Sequence, residues 1–449
     1  MMENLFDHVM LSRLQFAFTA MFHILWPVLT IGLSLFIVLM EAMWLKTKNE
    51  TYYRHARFWT RLFILNFAVG VVSGIPMEFQ FGTNWGVFAV TGGDIFGHLL
   101  GFEATMAFML EAAFLGIMVW GWKRVSPPMH LFATSMVAFG SSLSAFWIMT
   151  ANAWMQTPAG GSFESGRFVA AGHFDPIFNS DMPWAVTHMW VACLEVTIFV
   201  VGGISAWYLL KGKKVNFFLT SFRVVVIAAL FIAPLQIYLG DGSGRQVAET
   251  QPTKLGAMEA HWHTNAPGEG ASWNLLAWPN KSRQDNDWAI TIPNGLSLLL
   301  TRSLTGRVKG LRDFPVQDQP PIWLPFYAFR IMIGLGFLFF FLTLWTLWVW
   351  RKGRLKPAVV SGQKKLLVSW MAALPLSYVA MEAGWVTREV GRQPWIIYGV
   401  LRTNEAASPL PAYPVGASLL IFAGIYSVLF LVFLLFAWFI VYRGPEGKA

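Results

Sequence analysis

The stretch PVGASLLIFAGIYSVLFLVFLLFAWFIV, residues 414–441, contains no charged side chain. A helix needs about 20 apolar residues to cross the hydrocarbon core of a bilayer, and this run exceeds that. Eight further apolar blocks follow the same rule: 16–40, 59–77, 98–120, 130–150, 184–210, 218–239, 322–350 and 366–387. Composition agrees, with 55% hydrophobic and only 13% charged residues. Ordinary soluble proteins carry about 25% charged residues, so the length does not mean several soluble domains. The predicted fold is all-α: a single polytopic membrane bundle over 1–449 with about nine spans. The first 15 residues hold one basic side chain, Arg13, beside Glu3 and Asp7. A cleavable signal would open on a basic region, so the first span is expected to be a permanent helix.

The formal charge of +9 has a topological reading. One set of alternate segments holds 18 Lys or Arg residues, running from Lys46 and Lys48 through Lys123, Lys211 and Arg351 to Lys448, and the short segments of the other set hold five. By the positive-inside rule the N-terminus is outside and the C-terminus inside. The charge is therefore no nucleic-acid footprint. Cys193 is the only cysteine, which excludes an iron–sulfur cluster and the C-x-x-C-H attachment of a c-type haem. Neither a repeat of fixed period nor a nucleotide-binding glycine motif occurs. One outer segment is long, 240–321. A structureless connection of that length is usually functional or disordered. Its Trp262, Trp273, Trp278 and Trp288 suggest a surface lying at the membrane interface.

Ionisable residues inside spans are costly and are functional candidates by default. They are His23, Glu103, Glu111, His188, Arg330 and Glu382; the histidines at 8, 55, 98, 130, 173, 261 and 263 fall in loops or near span ends. His23 and His188 each read as a ligand or as a hydrogen bond between helices. Met332 alone reads as packing, although a Met/His pair can hold a six-coordinate haem. Depth groups them. His23 lies about 15 Å below Arg13, and Glu382 about 9 Å below Arg388. His188 and Met332 follow Pro183 and Pro321 closely, so all four occupy the outer half of the membrane. Glu103 and Glu111, eight apart, share nearly one helix face, either as a proton relay or as a structural pair. Lys254 and Glu259 in QPTKLGAMEA could bind a quinol and take its proton, or form a solvated ion pair.

Five runs resemble the large subunit of the cytochrome bd quinol oxidases: LSRLQFAFTAMFH (11–23), MEFQFGTNW (77–85), GFEATMAFMLE (101–111), AFRIM (328–332) and EAGWVTREVGRQPW (382–395). The resemblance implies His188 and Met332 as ligands of a low-spin haem b, with Arg330 close by. It implies His23 and Glu382 at two high-spin sites, a haem b and a haem d or a further haem b. Arg392, Gln393 and Trp395 would lie near the haems, and Glu103 and Glu111 on the proton route to the oxygen site. Lys254 and Glu259 match a quinol-interacting pair, with 240–321 as the periplasmic quinol-binding loop. This loop passes quickly from Arg312 to the seventh span, as in the short-loop branch that includes cyanide-insensitive enzymes. The implied activity is quinol oxidation outside and dioxygen reduction to water with cytoplasmic protons, generating a proton-motive force without pumping. The implied setting is the bacterial inner membrane, with subunit II and a small single-helix subunit as partners. The rival readings are a haem b quinol dehydrogenase and, in a different class, a proton-coupled transporter. A haem–copper oxidase is rejected, because only two histidines sit well inside spans.

Overall fold

The computed structural model describes residues 7–172 and 174–446, so Glu3, His173 and Lys448 lie outside it. Nine helices among the described residues are long and apolar enough to cross a membrane. We label them α1 (His8–Thr47), α2 (Glu50–Thr83), α3 (Gly93–Lys123), α4 (Pro127–Gln156), α5 (Met182–Leu210), α6 (Val215–Thr250), α7 (Trp323–Arg351), α8 (Lys364–Val390) and α9 (Ala412–Arg443). All nine predicted spans are present, most with longer ends. Local chemistry sets some of those ends. The Asp7 side chain accepts from the Met10 N–H at 2.6 Å, and Asn49 caps α2 through Thr51. Pro127, Pro183 and Pro252 sit in first turns, where no N–H partner is lost.

The third span departs from a plain helix. A π-helical segment, Glu103–Phe108, interrupts α3 and gives way to regular helix at Met109. Such wide turns concentrate at functional sites. Periodicity gave no hint of it, because one inserted residue leaves an apolar block apolar.

The helices α5, α6, α7 and α8 pack on one another, and α1 joins them through α5. The shared core contains Phe199, Phe218, Phe222 and Trp370, all fully buried. A Cβ at Gly202 would lie 2.4 Å from the Trp370 ring, so only glycine admits this contact. The Trp370 indole donates to Thr346 Oγ1 at 2.8 Å, which satisfies a polar edge inside the bundle. Helix α9 lies against α1 and α2 and presents most of its surface outward, as a lipid-facing helix does.

The segment 240–321 is ordered rather than structureless. Its first residues continue α6 to Thr250, and a short helix, Pro252–Glu259, follows. An antiparallel hairpin joins Trp273–Asn280 to Asp285–Ile292. A small core of Trp262, Leu311 and Phe326 pins the segment to the start of α7. The interfacial reading therefore fails for Trp262, which is buried and donates to Asn286 at 2.9 Å. It fits Trp278 and Trp288, both exposed on the hairpin.

Candidate functional site

Three of the four proposed ligands face a glycine on a neighbouring helix. Virtual Cβ atoms at Gly74, Gly240 and Gly384 would lie 2.9 Å from His23 Cε1, 3.3 Å from His188 Cε1 and 3.1 Å from Met332 Sδ. Each contact is nearer the helix ends that carry Asp7, Asp181, Gln251 and Arg388 than the opposite ends, so the clustering at one side of the bundle holds. None of these glycines was singled out in the sequence, where a glycine in an apolar run signals only close packing.

The histidine environments differ. His23 Nδ1 lies 3.0 Å from Ser73 Oγ, and that hydroxyl can donate to the Gly70 carbonyl, also at 3.0 Å. When it does so, Nδ1 carries the proton and Nε2 keeps its lone pair. This is the arrangement by which a hydrogen bond on one ring nitrogen prepares the other as a ligand. His188 Nδ1 is buried without a partner, and Nε2 is 3.5 Å from the Gln236 amide nitrogen. Both carboxyl oxygens of Glu382 are buried without a hydrogen bond. Among the described residues no three His, Cys, Asp or Glu side chains gather into a site for a bare metal ion. Single His, Met and Glu side chains on separate helices are of the types that could hold iron already bound in a porphyrin.

Arginines complete this end. Arg330 donates to the Asn274 carbonyl at 2.6 and 2.9 Å and to Glu259 at 2.5 Å, leaving Nη1 buried and unpartnered. Arg392 is buried with only Nη2 bound, to Glu389 at 2.5 Å, while Nε and Nη1 have no partner. Around it Arg388 binds Asp181 at 2.6 Å and Asn152 at 2.6 Å, and Asn152 binds Glu389 at 2.9 Å. Lys254, Arg388 and Arg392 thus face only two acids here, Asp181 and Glu389. The spare buried donors of Arg330 and Arg392 fit the carboxylates of a porphyrin. Gln393 accepts from Thr403 at 2.9 Å, and Trp395 lies under the Arg402 guanidinium at 4.3 Å, so both brace the turn that follows α8.

The loop pair is neither solvated nor mutually bonded. Five residues turn a helix by about 140°, so Lys254 and Glu259 point to different neighbours. Lys254 is buried, donates to Gln156 Oε1 at 2.9 Å and covers Gly391. Burial, followed by the positive charge of Arg388, lowers its pKa to about 7. Burial raises the Glu259 pKa against the opposing pull of Arg330. The partner Gln156, the last residue of α4, lies six residues beyond the predicted fourth span.

Glu103 and Glu111 both face α4. Glu103 accepts from Ser144 at 2.7 Å, and Glu111 accepts from Ser141. The common face inferred from their spacing holds despite the π-helical segment between them. The first two motif runs also meet. Thr19 Oγ1 lies 3.2 Å from Gln80 Oε1, and the Asn84 amide reaches Gln15 at 3.2 Å, so the polar positions of 11–23 and 77–85 stitch α1 to α2.

Fold and site together define a polytopic membrane protein with partly buried His, Met and Glu side chains toward one end of its bundle. The chain belongs to the cytochrome bd terminal oxidase subunit I family, whose family model matches residues 11–445. It is 36% identical to the cytochrome bd ubiquinol oxidase subunit 1 of Bacillus subtilis (strain 168) over 442 residues, covering 95% of this chain and 92% of the relative. It is 34% identical to the cytochrome bd-II ubiquinol oxidase subunit 1 of Escherichia coli (strain K12), covering 95% of each. The bd oxidase structure from Geobacillus thermodenitrificans superposes with a TM-score of 0.89 at 31% identity, covering 98% of this chain and 99% of that one. The chain is therefore part of a terminal quinol oxidase, a quinol:oxygen oxidoreductase with haem cofactors.

Proposed function

We propose that this subunit oxidises quinol at its outer loop and supports dioxygen reduction at haems held by His188, Met332, His23 and Glu382. The observation that carries the reading is the unpartnered Glu382 carboxyl, buried at the same end as the spare donors of Arg330 and Arg392. An uncompensated buried carboxyl costs several kcal/mol, and iron ligation removes that cost. When bound, the haems supply the electron transfer from quinol to oxygen. His188 and Met332 hold the low-spin haem b. His23 and Glu382 serve the high-spin haem b and the oxygen site, which takes haem d or a further haem b. Arg330 and Arg392 hold propionates, with Gln393 and Trp395 shaping the turn around Arg392.

Lys254 and Glu259 bracket the quinol headgroup, and neutral Lys254 takes a proton from it. On the opposite side Glu111 and then Glu103 pass protons from the cytoplasm along the face of α4. Charge thereby separates across the membrane without a pump. This requires the N-terminus outside and the C-terminus inside, the orientation that the basic loops support. The setting is the bacterial cytoplasmic membrane. The partners are subunit II and a small single-helix subunit, with quinol and dioxygen as substrates. The short passage from Arg312 to α7 supports the short-loop branch.

Haem counting in variants of the purified complex tests the assignment. Met332→Leu is expected to convert the low-spin haem b spectrum to a high-spin one. His23→Ala is expected to remove or alter a high-spin component while leaving the low-spin spectrum intact. Unchanged spectra in both variants would overturn it.

A further inference from the structure

Beneath Glu111, toward the basic end of the bundle, lies a second buried acid–base cluster. Glu41 of α1 and His130 of α4 are both almost fully buried, with Glu41 Oε2 2.8 Å from His130 Nδ1. Thr134 Oγ1 lies 2.9 Å from Glu41 Oε1 and 3.1 Å from the His130 carbonyl. His130 Nε2 meets the Met118 carbonyl at 3.2 Å. A carbonyl only accepts, so that bond puts a proton on Nε2. One further proton is then shared between Glu41 and Nδ1, on either atom. The shared proton sits on Glu41 Oε2 or on Nδ1, and Thr134 donates to Glu41 Oε1 in either case. The cluster therefore has two hydrogen-bonded states that differ by the position of one proton.

Its placement gives those states a use. At 100° per residue, His130, Thr134, Ser141 and Ser144 fall within an arc of about 80° on α4. That one face binds Glu41, Glu111 and Glu103 in turn. The interval between Thr134 and Ser141 is about 10 Å along the helix. On α1, antiparallel to α4, Ser34 lies two turns from Glu41 on the same face and is fully buried. It stands level with this interval, where its hydroxyl donates to the Ile31 carbonyl at 2.8 Å and keeps its oxygen free to accept. At the other end Trp122 packs on His130 at 4.0 Å between ring centres, next to Lys123 and Arg124.

We propose that the Glu41–His130–Thr134 cluster is the proton-loading station of the route through Glu111. It takes a proton from the side of Lys123 and Arg124 and releases it past Ser34 and Ser141 to the Glu111 carboxylate. This rests on the reading of Glu111 and Glu103 as that route. Glu41→Gln keeps a hydrogen bond to both partners and removes only proton exchange.

The test mixes the fully reduced, haem-loaded complex with oxygen and follows proton uptake with a pH dye. Haem reduction by quinol without oxygen is measured in parallel. Glu41→Gln is expected to slow uptake on the order of 100-fold, the scale of losing a proton-transfer group, while anaerobic haem reduction is unchanged. Glu41→Asp should restore most of the uptake. Normal uptake in Glu41→Gln beside slow uptake in Glu111→Gln overturns this proposal and leaves the route standing. Normal uptake in both overturns the route itself. Should Glu41→Gln assemble without haem, the double variant Thr134→Val, His130→Gln replaces it, and normal uptake there overturns the proposal.

Discussion

Glu382 shows how much one side chain can specify. Its two oxygens are buried without a partner, two residues before the glycine that Met332 packs against. Glu382→Gln keeps the volume and removes the anionic ligand. The complex is expected to assemble with one high-spin haem lost or weakly held, read by pyridine haemochrome content. Full haem content with an unaltered spectrum would return Glu382 to a protonated structural role. Asp181 makes a different demand, since its carboxylate neutralises Arg388 at 2.6 Å. Removing one partner of a buried pair costs about 3 kcal/mol or more. Asp181→Asn should therefore lower the thermal midpoint of the complex, and an unchanged midpoint would show that Asn152 and Glu389 suffice.

Among the elements, the short helix Pro252–Glu259 and the π-helical segment carry most of what the sequence hid. The helix turns Lys254 toward Gln156 and Glu259 toward Arg330. With the Lys254 pKa near 7, the ammonium form dominates below that pH and cannot accept a proton. Above it the free amine can. Quinol oxidation should therefore rise as pH passes upward through about 7, and Lys254→Met should flatten that limb in a steady-state rate profile. A limb that persists in the variant would move the acceptor role to another group. The nine spans and the common face of Glu103 and Glu111 were legible because apolar length and rare intramembrane charge are local signals, and the same signals single out the candidate ligands. Burial of the loop was not legible, because Trp262, Lys254 and Glu259 are polar or amphipathic residues whose partners lie far along the chain. The same holds for Glu41, which lies one residue beyond the predicted first span, and His130, at the edge of the fourth. Apolar length puts one outside a span and the other at its edge, yet both are buried because the helices run on. Glu195 escaped notice as well, a buried carboxyl seven residues beyond His188 in α5.

At the scale of the whole molecule, the nine helices among the described residues that are long enough to span are an odd number, so α1 starts and α9 ends on opposite sides, and the candidate ligands lie toward the side where α1 starts. In the proposed function, that asymmetry would make the reaction electrogenic with protons drawn from the other side. A cysteine introduced at Ser282 in the loop should react with an impermeant thiol reagent from outside, and one at Ser361 between α7 and α8 only from inside. The reverse pattern would contradict the orientation. The most direct test of the central claim is a reduced-minus-oxidised absorption spectrum, with pyridine haemochrome analysis, of the purified complex. The account predicts haem b bands in both low-spin and high-spin form, with a far-red chlorin band if haem d fills the oxygen site. A folded preparation without haem bands would contradict it.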